Sequence, residues 1–281
     1  MFSSQIVKKA TPLSFVIAAA LTAPAAGQAS RSPDVHFVPT PHEVVAEMLD
    51  VAKVRGKDIL YDLGSGDGRI VITAARKYGT RGTGIDLDPA RIEESQRGAR
   101  KAGVTGKVQF RQADLFETDL RDATVVTLYL LPTLNVRLRP KLYKELKPGS
   151  RVVSHAFDMG NWKPDSTFMA STSAVFFWVI PANAGGDWTV KAPGGKEYTL
   201  KLNQKFQMLE GTAERNGTTM PLTQTRIRGD TVTIEIDDPE GPVRLVGRIE
   251  GDTMSGTGRA KSRWSAHRQG VAPPLGEETD G

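Results

Sequence analysis

The chain has 281 residues, 39% of them hydrophobic, and a formal net charge of +5. That is enough to bury an ordinary core in one large domain or two. The charge is too mild to argue for nucleic acid, and falls to +3 without residues 1–29, which hold Lys8, Lys9 and no acids. Cysteine is absent, which excludes disulfides, thiolate metal sites and a cysteine nucleophile.

Residues 1–29 place Lys8 and Lys9 ahead of the apolar stretch PLSFVIAAALTAPAAG, with small residues from Ala23 to Ala29 where a peptidase could cut. This is the layout of a secretory signal peptide, and predicts an exported (periplasmic or secreted) protein. The alternative is an uncleaved anchor that associates the protein with a membrane through its N-terminus. No later segment reads as a membrane span.

From Val35 to Pro181 strand-like runs alternate with helical patterns, which predicts a parallel sheet with helices on its faces, in a domain over 30–184. DILYDL is the first strand, followed by a helix from Arg69 to Tyr78. RGTGIDL is the second, followed by a helix over PARIEESQRGARKAG that Gly103 ends; KVQFRQ is the third. ATVVTLYL is the fourth, before a helix that stops at the Pro-Gly pair of KELKPG, and SRVVSHAF is the fifth. STFMASTS and AVFFWVIPA then sit back to back with room only for a hairpin, so the sheet is expected to close with an antiparallel strand. Beyond Ala184, turn signals such as RNG, RGD and EGD separate alternating runs such as TVTIEI and VRLVGRI. A small antiparallel sandwich or barrel is expected over 185–269, and a disordered tail over 270–281.

The first strand runs into YDLGSGDGRI, where glycines stand at alternate positions. A side chain at Gly64, Gly66 or Gly68 would occupy ligand space or require a strained φ. A dinucleotide site also begins this way and expects an acid about 20 residues on, a place that Asp86 fills at the end of the second strand. The spacing is GxGxG rather than GxGxxG, however, and Asp62 would repel a pyrophosphate. A carboxylate there suits a ligand with positive charge, such as S-adenosylmethionine with its ammonium and sulfonium. Asp114, closing the third strand, stands where an adenine amino group could be capped.

ILYDLGSGDGRIVITAAR, GTGIDLDP, VQFRQADLF and LKPGSRVVS together resemble the successive motifs of class I S-adenosylmethionine-dependent methyltransferases. Within that superfamily, FVPTPHEVVAEML and DLGSGDGRIV resemble the lysine methyltransferases related to the mitochondrial enzyme that modifies the ATP synthase c-subunit. More remotely they resemble the non-SET histone lysine methyltransferases. The resemblance implies a Rossmann-like α/β fold, a seven-stranded methyltransferase sheet with one antiparallel strand, followed here by the small all-β domain. It implies that Gly64, Ser65, Gly66 and Gly68 wrap the methionine and ribose of S-adenosylmethionine, with Asp62 near the amino group and Asp86 on the ribose hydroxyls. Asp114 and Leu115 would hold the adenine, and Thr40, in PTP, would meet the methionine end. The Asn-Pro-Pro-Tyr type of motif found after the fourth strand in many amide and exocyclic-nitrogen methyltransferases is replaced by TLYLLP, which argues against DNA-base and glutamine acceptors.

The expected reaction is methyl transfer to a protein lysine, with positioning and desolvation as its main sources of rate. Tyr129 and His155, at the ends of the fourth and fifth strands, are the candidate catalytic residues lining the acceptor pocket, Tyr129 against wall packing and His155 against a hydrogen-bonded structural histidine. A small molecule or lipid acceptor keeps the same chemistry. An exported binding module on an inactive scaffold is the rival from another class, motivated by the cytoplasmic supply of the cofactor, and a nicotinamide ligand is the most distant reading. His36 and His42 lack a matching carboxylate pattern, so no metal is expected. Arg137, Arg139, Lys141, Lys144 and Lys147 read as a solvated helix face, RGD at Arg228–Asp230 as a turn, His267 as a surface residue, and Trp162, Trp178 and Trp188 as core or domain-interface packing.

Overall fold

The computed structural model describes Met1 and residues 37–257 and 262–275. The signal-peptide or anchor segment, His36 and residues 276–281 lie outside the described residues. Among the described residues no helix is long and apolar enough to cross a membrane.

Seven strands form one sheet: β1 (Ile59–Leu63), β2 (Arg81–Asp86), β3 (Val108–Gln112), β4 (Val125–Leu128), β5 (Arg151–His155), β6 (Ser166–Ala170) and β7 (Ser173–Val179). Their order is β3-β2-β1-β4-β5-β7-β6, and β7 alone runs against the rest, pairing antiparallel with β5 and β6. Four helices accompany them: α1 (His42–Val51), α2 (Arg69–Tyr78), α3 (Pro89–Ala102) and α4 (Pro132–Glu145). Their ends follow from local chemistry. Asp88 caps α3, accepting from the Ala90 N–H at 2.8 Å with Pro89 in the first turn, while Gly79 and Gly103 close α2 and α3 in the left-handed conformation.

Central strand β1 is hydrogen-bonded on both edges, to β2 and β4, and Leu60, Tyr61, Asp62 and Leu63 are all buried. A strand so enclosed delivers the segment that follows it to the carboxyl edge of the sheet, the usual place for a ligand in this architecture. The fourth strand is shorter than its sequence suggests. It stops at Leu128, because Leu131 is extended and Pro132 starts α4, so Tyr129 and Leu130 lie in the turn above the sheet.

Eight further strands form a closed antiparallel barrel: β8 (Gly186–Lys191), β9 (Glu197–Lys205), β10 (Met208–Arg215), β11 (Thr218–Arg228), β12 (Thr231–Ile236), β13 (Val243–Glu250), β14 (Thr253–Thr257) and β15 (Arg263–Gln269). Neighbours in sequence pair in turn, and β15 pairs with β8 to complete the ring. Trp188, Leu200, Ile234, Leu245 and Trp264 fill the interior, so the barrel is a packed core. At one end the buried Asp238 carboxylate is met by Lys196, Arg215 and the Tyr198 hydroxyl. Beyond β15 the chain is not free at once: Pro273 packs on Gly185, and its carbonyl accepts from Asn183.

At the amino end of the sheet, Asp58 accepts from the Arg55 N–H and the Thr124 hydroxyl, both at 2.8 Å, and pairs with Arg151, whose guanidinium also reaches the Ala52 carbonyl at 2.9 Å. Burial opposes the Asp58 charge, but these donors outweigh it and hold the carboxyl below its ordinary range. Such a group stabilises the fold above the unfolded pKa and loses that contribution as pH falls through the folded value. Arg151→Met is therefore expected to cost about 3–5 kcal/mol at pH 7, measured by urea unfolding, and the gap to wild type should narrow toward pH 3.

Candidate functional site

The turn after β1 is made of residues in the left-handed region: φ is +81° at Gly64, +51° at Gly66 and +78° at Gly68. The Gly64 and Ser65 N–H groups share the Ile85 carbonyl at 2.8 and 2.9 Å, which ties the turn to the end of β2. The need for glycine is partly different from the expected one. A Cβ at Gly66 would lie 2.1 Å from the Phe37 ring, one at Gly68 2.6 Å from the Phe110 ring, and one at Gly64 2.8 Å from Leu130. Backbone conformation and neighbouring side chains thus demand the glycines before any ligand does. The Ser65 hydroxyl is buried without a partner and faces Gly84, while its N–H and carbonyl are spent on Ile85 and Gly68.

Three carboxylates follow the strand ends. Asp62 is buried in β1 and accepts from the Thr127 hydroxyl of β4 at 2.7 Å. Burial, helped by nearby Asp86 and Asp67, pushes its pKa up to about 7 despite that hydrogen bond. Asp86 accepts from the Gly66 N–H at 2.8 Å and the Asp88 N–H at 2.9 Å, so it holds the glycine turn and starts α3. Asp114 lies just past β3, where the Ala113 N–H bonds the Asp86 carbonyl at 3.0 Å; its carboxylate accepts from the Phe116 N–H, and Leu115 beside it is half-buried.

Residues 37–41 lie over the glycine turn. Phe37 rests on Gly66, with the Arg91 guanidinium 5.0 Å from its ring centre, and Arg69, paired with Asp67, donates to the Thr40 carbonyl at 2.9 Å. The Thr40 hydroxyl is 3.2 Å from Nδ1 of His155. His155 is buried, and burial lowers its pKa, favouring the neutral ring. Tyr129 lies 3.9 Å from it, centre to centre, and Phe157 stands nearly parallel to Tyr129 at 6.1 Å. The structure therefore brings Thr40, Tyr129 and His155 into one cluster, while Asp62, Asp86 and Asp114 line the neighbouring strand ends.

Phe157, Phe37, Arg69 and Thr127 complete this region without having been singled out in the sequence. Phe37 and Phe157 sit in the stretches FVPTP and SHAF, but no spacing marks an aromatic as part of a site. The basic residues of α4 are employed locally: Arg137 stacks on Phe116, Arg139 donates to the Met159 carbonyl, and Lys141 pairs with Glu145. Trp162 and Trp178 are fully buried beside the sheet and Trp188 inside the barrel, RGD is the β11–β12 turn, and His267 is exposed on β15. His42 opens α1 on the surface, and among the described residues no group of three His, Cys, Asp or Glu is placed to hold a metal.

A buried carboxylate with no cation paired to it, close to a glycine turn and a second acid, Asp86, suits a ligand that carries an ammonium group and sugar hydroxyls, and the sheet order is that of the class I methyltransferases. The ANTKMT methyltransferase domain, as a family model, matches residues 62–166. The protein-lysine N-methyltransferase of Saccharolobus islandicus is 50% identical over 136 residues, 48% of this chain and 84% of that protein. The Mus musculus lysine N-methyltransferase of the ATP synthase c-subunit is 32% identical over 166 residues, 59% of this chain, which spans 66% of that relative's length. Among solved structures, an RNA methyltransferase from Salinibacter ruber in complex with S-adenosyl-L-homocysteine is 56% identical with a TM-score of 0.50, covering 50% of this chain and 93% of that one. The chain belongs to the S-adenosylmethionine-dependent methyltransferase family of these proteins. It is an enzyme of that class, and S-adenosylmethionine is its cofactor.

The Asp62 carboxyl ionises more readily in the unfolded chain, near pH 4, than in the fold, where its pKa is about 7. Folding therefore favours the protonated form, and stability present below pH 4 is lost as pH rises through 7, by on the order of 4 kcal/mol. Asp62→Asn, which keeps an acceptor for Thr127, should raise the unfolding temperature of the cofactor-free protein at pH 8 and change it little below about pH 4.

Proposed function

We propose that the enzyme transfers the methyl group of S-adenosylmethionine to the ε-amino group of a lysine in a protein. The observation that carries this reading is the 50% identity to a protein-lysine N-methyltransferase across 84% of that relative. The site chemistry supports it. A primary amine needs alignment and loss of one proton more than it needs a strong base, and Tyr129, His155 and Phe157 offer largely apolar walls that favour the neutral amine. With Nδ1–H donated to the Thr40 hydroxyl, Nε2 of His155 presents a lone pair that takes the departing proton.

The cofactor, when bound, supplies an electrophilic methyl carbon on a sulfonium. Asp62 receives the ammonium of its methionine end, next to the backbone of Gly64, Ser65 and Gly66, while Thr40 closes that end from above. Gly68 lets the turn enter α2. Asp86 takes the ribose hydroxyls, and Asp114 with Leu115 borders the adenine. A bound cation also explains why so costly a buried carboxylate is kept: it restores the ionised state that burial disfavours.

The 56% identity to a protein named an RNA methyltransferase supports a second reading, in which the acceptor is RNA. Incubation of the purified enzyme with tritium-labelled S-adenosylmethionine and, separately, membrane protein and total RNA from the source cells decides between them. The apolar N-terminal stretch makes membrane-associated proteins the first fraction to try. Label recovered as ε-methyllysine after acid hydrolysis establishes the protein reading; nuclease-sensitive label with none in lysine overturns it.

Two binding outcomes follow from the site. Asp86→Ala should weaken S-adenosylmethionine binding about tenfold or more by calorimetry, through lost charge-assisted hydrogen bonds. In the wild type the ammonium requires ionised Asp62, so affinity should hold above pH 7 and fall about tenfold per unit below it, with proton release on binding visible in buffers of different ionisation enthalpy.

A further inference from the structure

The segment between His155 and β6 is fixed by side chains along its length. It begins in a tight turn: Ala156 has φ +63°, and the Phe157 N–H bonds the His155 carbonyl at 2.7 Å, a strained three-residue turn for a residue with a Cβ. Asn135, buried on α4, donates to the carbonyls of Phe157 and Asp158 at 3.2 and 3.1 Å. One helical turn on, Arg139 donates to the Met159 carbonyl at 3.1 Å and reaches Asn161.

The far end is held by the barrel. Gln207, in the β9–β10 turn, accepts from Trp162 Nε1 at 2.9 Å and donates to the Lys163 carbonyl at 2.6 Å. Phe206 beside it has φ +56°, a costly conformation for an aromatic residue, and is buried against Trp162, Tyr143 and the Arg139 guanidinium. Gln204 steadies that conformation by donating to the Phe206 carbonyl at 2.7 Å. The hairpin tip thus docks against the residues of the methyltransferase domain that hold the wall of the site, and these contacts offset the strain.

We infer that the β9–β10 turn of the barrel is a positioning element for methyl transfer: Gln207 and Phe206 fix residues 157–163, and through them the placing of His155 and Phe157 against Tyr129. Gln207 is a positioning residue and touches no substrate. The inference rests on the reading that Tyr129, His155 and Phe157 line the acceptor site. It gives the barrel a part in turnover that does not require it to contact substrate.

The test compares Gln207→Ala with Ile234→Val, which removes a methylene group from the barrel core and leaves the turn alone. Three quantities are measured on the full chain: amide exchange over 156–163, the His155 imidazole titration by NMR, and label transfer at saturating S-adenosylmethionine to whichever fraction accepts it. For Gln207→Ala, exchange over 156–163 should speed up, the His155 pKa should rise toward its ordinary value as the ring gains water, and transfer should fall roughly tenfold, the scale expected of small misplacement. Cofactor affinity should stay within about twofold, since the acids and glycines are remote from the turn. Ile234→Val should lower the unfolding temperature and move none of the other three. Unchanged transfer by Gln207→Ala, whatever its stability, overturns the inference. Label appearing in RNA and not lysine overturns the acceptor reading alone, because the rate on RNA reads Gln207 in the same way.

Discussion

The cofactor site is organised around one unfavourable charge. Asp62 sits on the central strand, buried, with a single side-chain donor from Thr127 of the neighbouring strand. A carboxylate so placed costs stability, and a hydrophobic residue would pack the strand better. It is tolerated because the two flanking parallel strands fix β1 on both edges, and, in the proposed placing of the cofactor, because a cationic group beside it and beside the second acid, Asp86, offsets its charge. In the proposed placing, the fold carries the cost before the cofactor arrives, and binding relieves it. Stability and cofactor affinity are opposed at this one position.

A second tension lies on the acceptor side. Ala156 holds a positive φ directly after His155, and such a conformation persists only where its surroundings over-determine it. Asn135 and Arg139 from α4, together with Gln207 from the barrel, supply that determination. From above, Thr40 meets the same histidine, and Arg69 ties Thr40 to the start of α2. The His155 ring, the strap of residues 37–41 and the glycine turn therefore share fasteners, so that a shift in the strap would be felt at both the cofactor end and the acceptor end of the proposed site.

Much of this was legible in the sequence, for reasons that differ by region. The helices carry their own punctuation, Asp88 and Pro89 at one end of α3 and Gly103 at the other, although α4 ends at Glu145, ahead of the Pro148–Gly149 pair expected to stop it. Short strands that alternate with helices from β1 to β3 and again from β4 to β5 leave few topologies, and the back-to-back runs before Pro181 allow only a hairpin. The barrel strands were equally plain from Asn216–Gly217 and its fellow turns, yet sandwich and barrel stayed open, because closure depends on β15 meeting β8, a pairing that no local pattern encodes. At the site, the acids stood out because each lies at or near the carboxyl end of a strand: Asp62 next to last in β1, Asp86 last in β2, and Asp114 two residues past β3. The contact between Thr40 and His155 spans 115 residues, and the packing of Phe37 on Gly66 is set by a strap with no periodicity, so neither has a sequence signature.

The barrel shows why domain organisation and function need separate arguments. By composition it is a self-sufficient unit: its interior is closed by Trp188, Trp264 and aliphatic side chains, and one end by Asp238 with its cations. Nothing in that core requires the methyltransferase domain. The contact between them instead uses residues that are poor choices for a free hairpin, an aromatic at positive φ and a glutamine whose donor and acceptor are both engaged by the other domain. A glycine in place of Phe206 would relieve the turn and lose the anchor. That the hairpin carries strain which its docking helps to offset argues that the two domains were shaped to work together, with the barrel bearing on the wall that the fifth strand contributes to the proposed acceptor site.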